Sequence, residues 1–433
     1  MKPADRYHAL DCLRGFAMFL GVVLHAGISF MTNPPPFWSV RDNDPSPLTD
    51  VFLFAVHDFR MQLFFLLAGF FGCLLYLKYG ALGTAVHRVK RVAIPFALAM
   101  VFIMPTVMVA FLYAELDNVR TQDAPEKPTL GRAVAVKLIA ENPEKSNVVI
   151  LFDRFTSGEV PALLAHLWFL YYLLYLYAAA LLLAPLVARL SGTRFLARLD
   201  AAFRRLIEGR ARVLVPALCT LPVSLLMRTP FADTPLWWMP EWHILLYYFG
   251  FFTFGWMLYR HRDLITSFGR GWKLNLAVAN LVVLPVALGL TLGGIEASGW
   301  PKMPIPLAWQ LGMFAAQAIY TWLMIVALWG AFLHYFASES ATVRYLADAS
   351  YWCYLASLTP TVVFQFVVKD WPLPGLVKWL LVTVATLAVL LASYEWCVRY
   401  TFIGAILNGR KRRTPREEIS HKKAVVSDLA CTH

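Results

Sequence analysis

Apolar residues in this chain neither alternate with polar ones nor form narrow stripes; they come in long continuous runs. Such runs stand near 9–31, 51–78, 92–114, 162–188, 211–228, 243–260, 273–294, 308–337, 351–369 and 375–398. A helix needs roughly 20 mostly apolar residues to cross a bilayer core. A helix also pairs its backbone N–H and C=O groups within its own segment, which lipid demands. The pattern therefore predicts an all-α fold, a polytopic integral membrane helical bundle of about ten transmembrane helices. Lys2 and Arg6 precede the first run as they would a secretion signal, but no small-x-small cleavage site stands before Pro34-Pro35-Pro36. A retained helix is expected there.

Composition agrees, with 59% of residues hydrophobic and 15% charged, against roughly 25% charged in soluble domains. The net charge of +12 sits in short basic clusters between the apolar runs. Clusters of this kind orient spans and meet anionic lipid heads, so the charge implies membrane lipids as partners and no nucleic acid. Basic residues gather at Lys78–Arg91, Arg189–Arg212 and Arg260–Lys273, and again after Arg410. The loops between those clusters are poor in Lys and Arg, apart from the long loop 115–161 with six basic and eight acidic residues. Long loops cross whatever their charge. This alternation places both termini in the cytoplasm. It divides the chain into a transmembrane domain over 1–409 and a basic tail over 410–433, read as disordered. The long loop is expected to hold a short helix. The six cysteines form no C-x-x-C pair, and no H-x-x-x-H or H-E-x-x-H spacing occurs, so neither a disulfide framework nor a metal site is expected.

Ionisable residues inside apolar runs are costly and become functional candidates by default. Arg14 and His25 lie eleven residues apart in the first run. That is almost three turns, so both project from one face, separated by ~16 Å along the axis. The bland alternative has Arg14 snorkelling to the interface and His25 bonding a neighbouring helix. The second run carries His57-Asp58-Phe59-Arg60-Met61, at the depth of His25 if the two helices are antiparallel neighbours. A structural ion-pair network competes there, although buried ion pairs add little stability. His166, in His166-Leu167-Trp168-Phe169-Leu170, opens the fourth run, and His243 opens the sixth behind Trp237, Trp238 and Trp242. Interfacial anchoring explains both histidines equally well, and His243 better. At the other end, His87-Arg88-Val89-Lys90-Arg91 packs four basic groups into five residues, suited to a phosphorylated donor or simply to orienting the chain.

Four elements in order resemble the acyltransferase-3 family of membrane acyltransferases, over roughly residues 5–405. They are Asp11, Arg14, Gly15 and His25; Phe64, Phe65, Gly69 and Phe70, with Ala68 in the place of the usual serine; Arg88 and Arg91 followed by Pro95; and His166 to Leu170. Within the family, His57–Met61 and the closing Val398–Gly409 resemble the branch that succinylates osmoregulated periplasmic glucans. Many relatives carry a histidine where Tyr354-Leu355-Ala356-Ser357 ends in serine.

The resemblance implies a multi-pass protein of the bacterial inner membrane. It would move an acyl group, succinyl in that branch, from cytoplasmic acyl-coenzyme A to a hydroxyl of a periplasmic glucan. It implies His25 as the catalytic histidine, Arg14 as a support for it or for the donor, and Arg88 with Arg91 as the binders of the coenzyme A phosphates. No permanently bound cofactor is expected; the acyl-coenzyme A, succinyl-coenzyme A in that branch, is a donor substrate. On this scheme His25 is general base, with Asp58 or Asp11 orienting it and depth favouring Asp58. Arg60 or Trp168 steadies the oxyanion, and His57 and His166 contact substrate. Arg60 is also a candidate for holding a free succinyl carboxylate. Trp237, Trp238, Trp242 and Trp300 are candidates for a sugar platform, or for an aromatic belt. Two other functions compete: an O-acetyltransferase of another envelope glycan, and a secondary transporter or glycan exporter, which buried charge also suits.

Overall fold

The computed structural model describes residues 7–121, 129, 131–158, 163–190, 192–299 and 301–409. The tail 410–433 and Trp300 lie outside the described residues. Among the described residues the chain is helical and contains no strand. The helices are α1 (His8–Gly27), α2 (Pro47–Arg88), α3 (Ile94–Phe102), α4 (Met104–Arg120), α5 (Arg132–Glu141), α6 (Asn147–Thr156), α7 (Trp168–Arg189), α8 (Arg194–Glu208) and α9 (Leu214–Ser224). They continue with α10 (Trp242–Arg260), α11 (Ile265–Phe268), α12 (Trp272–Val278), α13 (Leu284–Ser298), α14 (Leu307–Tyr335), α15 (Ala341–Ala356), α16 (Leu358–Val368), α17 (Gly375–Ser393) and α18 (Phe402–Asn408).

Among the described residues, six helical stretches are long and apolar enough to cross a membrane, and seven if α15 and α16, bent by 68° at Ser357, count as one. The ten apolar runs are thus not ten straight spans. The run at 211–228 yields only the 11 residues of α9, and α10, rich in Tyr, Phe and Trp, is not among the six. Two further runs share the single 74-residue stretch Pro47–Arg120, which runs out and back. Gly80 breaks it with φ 71°, in the left-handed region that glycine enters at no steric cost. By Asn118 the chain has returned beside the loop it left, because Asn118 Nδ2 donates to Ser39 O at 3.0 Å. The long loop holds two helices rather than one, α5 and α6. Leu138 and Ile150 from them pack with Leu116 of α4 in a small core of their own.

The centre of the bundle is the contact of α2 with α10. A Cβ at Gly69 would collide with Phe252 O, and one at Gly255 would collide with Leu66 O. The two backbones therefore touch, the way small residues bring helices together where lipid supplies no hydrophobic drive. This is the physical content of the glycine in the Phe64–Phe70 run. At one end of the bundle, Lys378 Nζ pairs with Asp42 Oδ2 at 2.7 Å, with both side chains buried. Gly375 N donates to Asp44 Oδ2 at 2.9 Å beside it. The opposite end carries Arg14, Arg88 and Arg91.

Candidate active site

Four of the sequence candidates meet in one small cavity. His25, Arg60, His166 and Trp168 line it together with Met18, Met61, Phe64, Phe169 and Tyr354. Its volume is about 30 Å³, room for a single water-sized group. Helix geometry explains the gathering. Met18 and His25 are seven residues apart on α1, nearly two turns, and Gly21 lies on the same face between them. On α2, Arg60 and Phe64 are one turn apart. Gly21 is required here, because a Cβ on it would collide with Arg60 Nη1. The guanidinium therefore packs against α1 at Gly21.

Arg60 is buried, and its Nε has no hydrogen-bond partner among the described residues. No Asp or Glu lines the cavity. A buried cation without a carboxylate is expensive, and a substrate anion or a developing oxyanion would offset that cost.

His25 as a whole is only partly buried, but its Nδ1 is fully covered and unpartnered. Its ring stacks on Trp38 at 6.2 Å between centroids and meets His166 edge-on at 6.4 Å. Trp38 Nε1 donates to Ser29 Oγ at 3.0 Å and to Gln365 Oε1 at 3.1 Å. Gln365 Nε2 in turn donates to the His25 carbonyl at 2.9 Å. One glutamine of α16 thus clamps both the end of α1 and the ring beside its histidine.

His166 sits in a 3-10 turn just before α7. The residue before it, Ala165, has φ 40°; a non-glycine residue in this region costs about 1 kcal/mol and persists only where surrounding contacts enforce it. Those contacts come from α15: Tyr354 Oη donates to His166 O at 2.7 Å, and His166 Nε2 lies 3.0 Å from Leu355 O. His166 Nδ1 is buried without a partner. Ser357, where the resemblance expects histidine, donates to Tyr354 O at 3.2 Å. Tyr354 itself is a lining residue that the sequence reading quoted but did not assign.

Other candidates lie elsewhere. His57 Nε2 is 3.2 Å from Ala232 O, tying α2 to the loop before α10. Asp58 is two positions before Arg60, which turns it about 200° away on a helix. It does not line the cavity; Thr321 Oγ1 of α14 donates to its backbone carbonyl at 2.5 Å, and its Oδ2 has no partner among the described residues. The expectation from depth, that Asp58 orients His25, fails on direction. Asp11 pairs with Arg14 at 3.4 Å and lies nearly four turns from His25 along α1. His243 is buried, and its Nε2 lies 3.3 Å from Asp233 Oδ2. Trp237, Trp238 and Trp242 are exposed; Tyr171 Oη donates to Trp238 O at 2.8 Å.

At the opposite end the two arginines of the basic element do different things. Arg88 places its guanidinium 4.4 Å from the Tyr177 ring centroid, with Nε unpartnered. Arg91 Nη1 donates to Ala405 O at 2.8 Å and Ile406 O at 2.7 Å. It caps the carbonyl end of α18, where a cation is favoured. Between α2 and α3, residues Val89–Ala93 form a π-helical turn, a feature frequent at functional sites. Pro95 has no N–H to give the Arg91 carbonyl, and Tyr351 Oη donates to it at 3.0 Å instead.

Comparison with known proteins joins these observations. Residues 7–395 match the model of the acyltransferase-3 family, described as an acyltransferase domain. The chain is 24% identical to the glucans biosynthesis protein C of Salmonella agona, over 94% of this chain and 96% of that one. The proteins of the same name from Salmonella paratyphi A and Salmonella schwarzengrund match with the same figures. No solved structure matches. The family match takes in every residue of the cavity and both arginines of the basic element, and the chain therefore belongs to the acyltransferase-3 family.

Proposed function

We propose that this protein is an O-acyltransferase of the bacterial inner membrane, moving a succinyl group from cytoplasmic succinyl-coenzyme A to a hydroxyl of a periplasmic glucan. One observation carries the reading: His25, Arg60 and His166 share one small cavity inside a bundle of apolar helices. The name shared by the relatives supports a glucan as acceptor. The basic loops support cytoplasmic termini and about ten crossings in all, shorter and bent helices included.

The donor's charged head stays at the end marked by Arg14 and Arg88, and its thin thioester arm reaches inward. The ~16 Å from the level of Arg14 to that of His25 suits such an arm. His25 takes the proton of the acceptor hydroxyl, the oxygen attacks the thioester carbonyl, and the oxyanion forms near Arg60. Collapse breaks the C–S bond, and the thiolate leaves with the proton that His25 held. Arg91, committed to α18, leaves Arg88 as the arginine available for donor phosphates.

The test is turnover by purified protein given succinyl-coenzyme A and glucan. Succinylated glucan should form, and His25→Ala should slow it by at least about 100-fold. Equal rates in the two proteins would refute the proposal.

A further inference from the structure

A histidine that acts as a base needs a third group that fixes which ring nitrogen carries the proton. The familiar choice is a carboxylate, and none lines this cavity. Asp58 is not on its wall, and Asp11 is nearly four turns from His25. Arg60 and Tyr354 are, besides the two histidines, the ionisable side chains on the wall.

The His166 contacts supply the missing partner. A carbonyl oxygen can only accept, so the 3.0 Å contact of His166 Nε2 with Leu355 O puts a proton on Nε2. The neutral ring then carries its lone pair on Nδ1, and that atom is buried and unpartnered. His25 has the complementary vacancy, a buried Nδ1 with no partner. The two rings are perpendicular, with centroids 6.4 Å apart. A direct N–H···N bond between imidazoles brings centroids to about 5 Å, so the rings have to approach by somewhat more than ~1 Å with their Nδ1 atoms turned toward each other. Catalytic hydrogen bonds are often long before substrate binds.

We propose that His166 is the positioning residue for His25, in the place a carboxylate takes in other hydrolytic and transfer enzymes. Resting on the acyl-transfer reading above, the chain runs from Leu355 O to His166 Nε2–H, then from His166 Nδ1 to His25 Nδ1–H. His25 Nε2 is left with the lone pair that meets the hydroxyl. The proton taken by Nε2 creates an imidazolium whose Nδ1–H is held by His166, and the departing thiolate receives that proton. The bend at Ser357 and the left-handed Ala165 serve this arrangement, since both set where Leu355 O and His166 meet.

Two variants separate positioning from simple packing. His166→Gln keeps an N–H for Leu355 O but places no acceptor at Nδ1; its kcat should fall about 100-fold with KM changed less than about threefold. His166→Asn brings an amide oxygen near the Nδ1 position and should recover at least about tenfold of that loss. Because the pair acts as a unit, adding His166→Gln to His25→Ala should cost nothing further. The acid limb of kcat in His166→Gln should move to lower pH, since an imidazolium without its acceptor is a stronger acid. Wild-type kcat in His166→Gln, or losses that multiply in the double variant, would overturn the proposal. A wild-type protein that turns over no acyl thioester would instead overturn the acyl-transfer reading on which it rests.

Discussion

Arg60 is the residue at which the choice of acyl group can be tested. It is buried beside His25 with no carboxylate on the cavity wall, so an anion from the substrate has a place prepared for it. If the free carboxylate of succinyl also rests there, Arg60→Met should slow transfer of both groups and cut transfer of succinyl at least about tenfold more than transfer of acetyl. Competition between succinyl- and acetyl-coenzyme A in one reaction, with the products weighed by mass spectrometry, reads this ratio. Equal losses for the two donors would assign Arg60 to the oxyanion alone. The sequence made His25 and Arg60 visible because a charge or imidazole in an apolar run is costly wherever it points. Asp58 stands at the right depth and still lies off the cavity, because depth along a helix does not fix direction around it. Tyr354 was hidden for a different reason: a tyrosine in a membrane helix carries no cost that marks it, and its role depends on a 3-10 turn nearly two hundred residues away in sequence.

At the level of helices, most of the apolar runs were readable from length and composition, and their breaks were not. Continuous hydrophobicity does not distinguish a straight span from one bent at Ser357 or from a π-helical turn at Val89–Ala93. Those irregular segments position the site. The π turn sends Arg88 toward Tyr177 and Arg91 toward α18, although the spacing alone made the two arginines look equivalent. Their variants should therefore separate. Arg88→Ala should raise the KM for acyl-coenzyme A about tenfold, equivalent to 1.4 kcal/mol, with little change in melting temperature. Arg91→Ala loses two charge-assisted bonds to backbone carbonyls, at a cost of about 2 kcal/mol. It should lower the melting temperature and move KM less than Arg88→Ala does. Thermal shift in detergent alongside donor titration checks both, and identical profiles would show that the two residues do share one job.

Across the whole molecule, the cavity lies between an arginine-bearing end and an end closed by the Lys378–Asp42 pair. Neither a charged coenzyme thioester nor a glucan crosses lipid unaided, so the proposed reaction requires the bundle to let each in from its own side. Family membership sets the chemistry as acyl transfer; the topology of that transfer is the larger claim, and sided proteoliposomes test it most directly. Protein is inserted in one orientation, with succinyl-coenzyme A and glucan placed on the same or on opposite faces. The account predicts succinylated glucan only when the thioester is on the Arg14 and Arg88 face and the glucan on the other, and none with His25→Ala. Product formed with both substrates on one face and none when they are separated would contradict it.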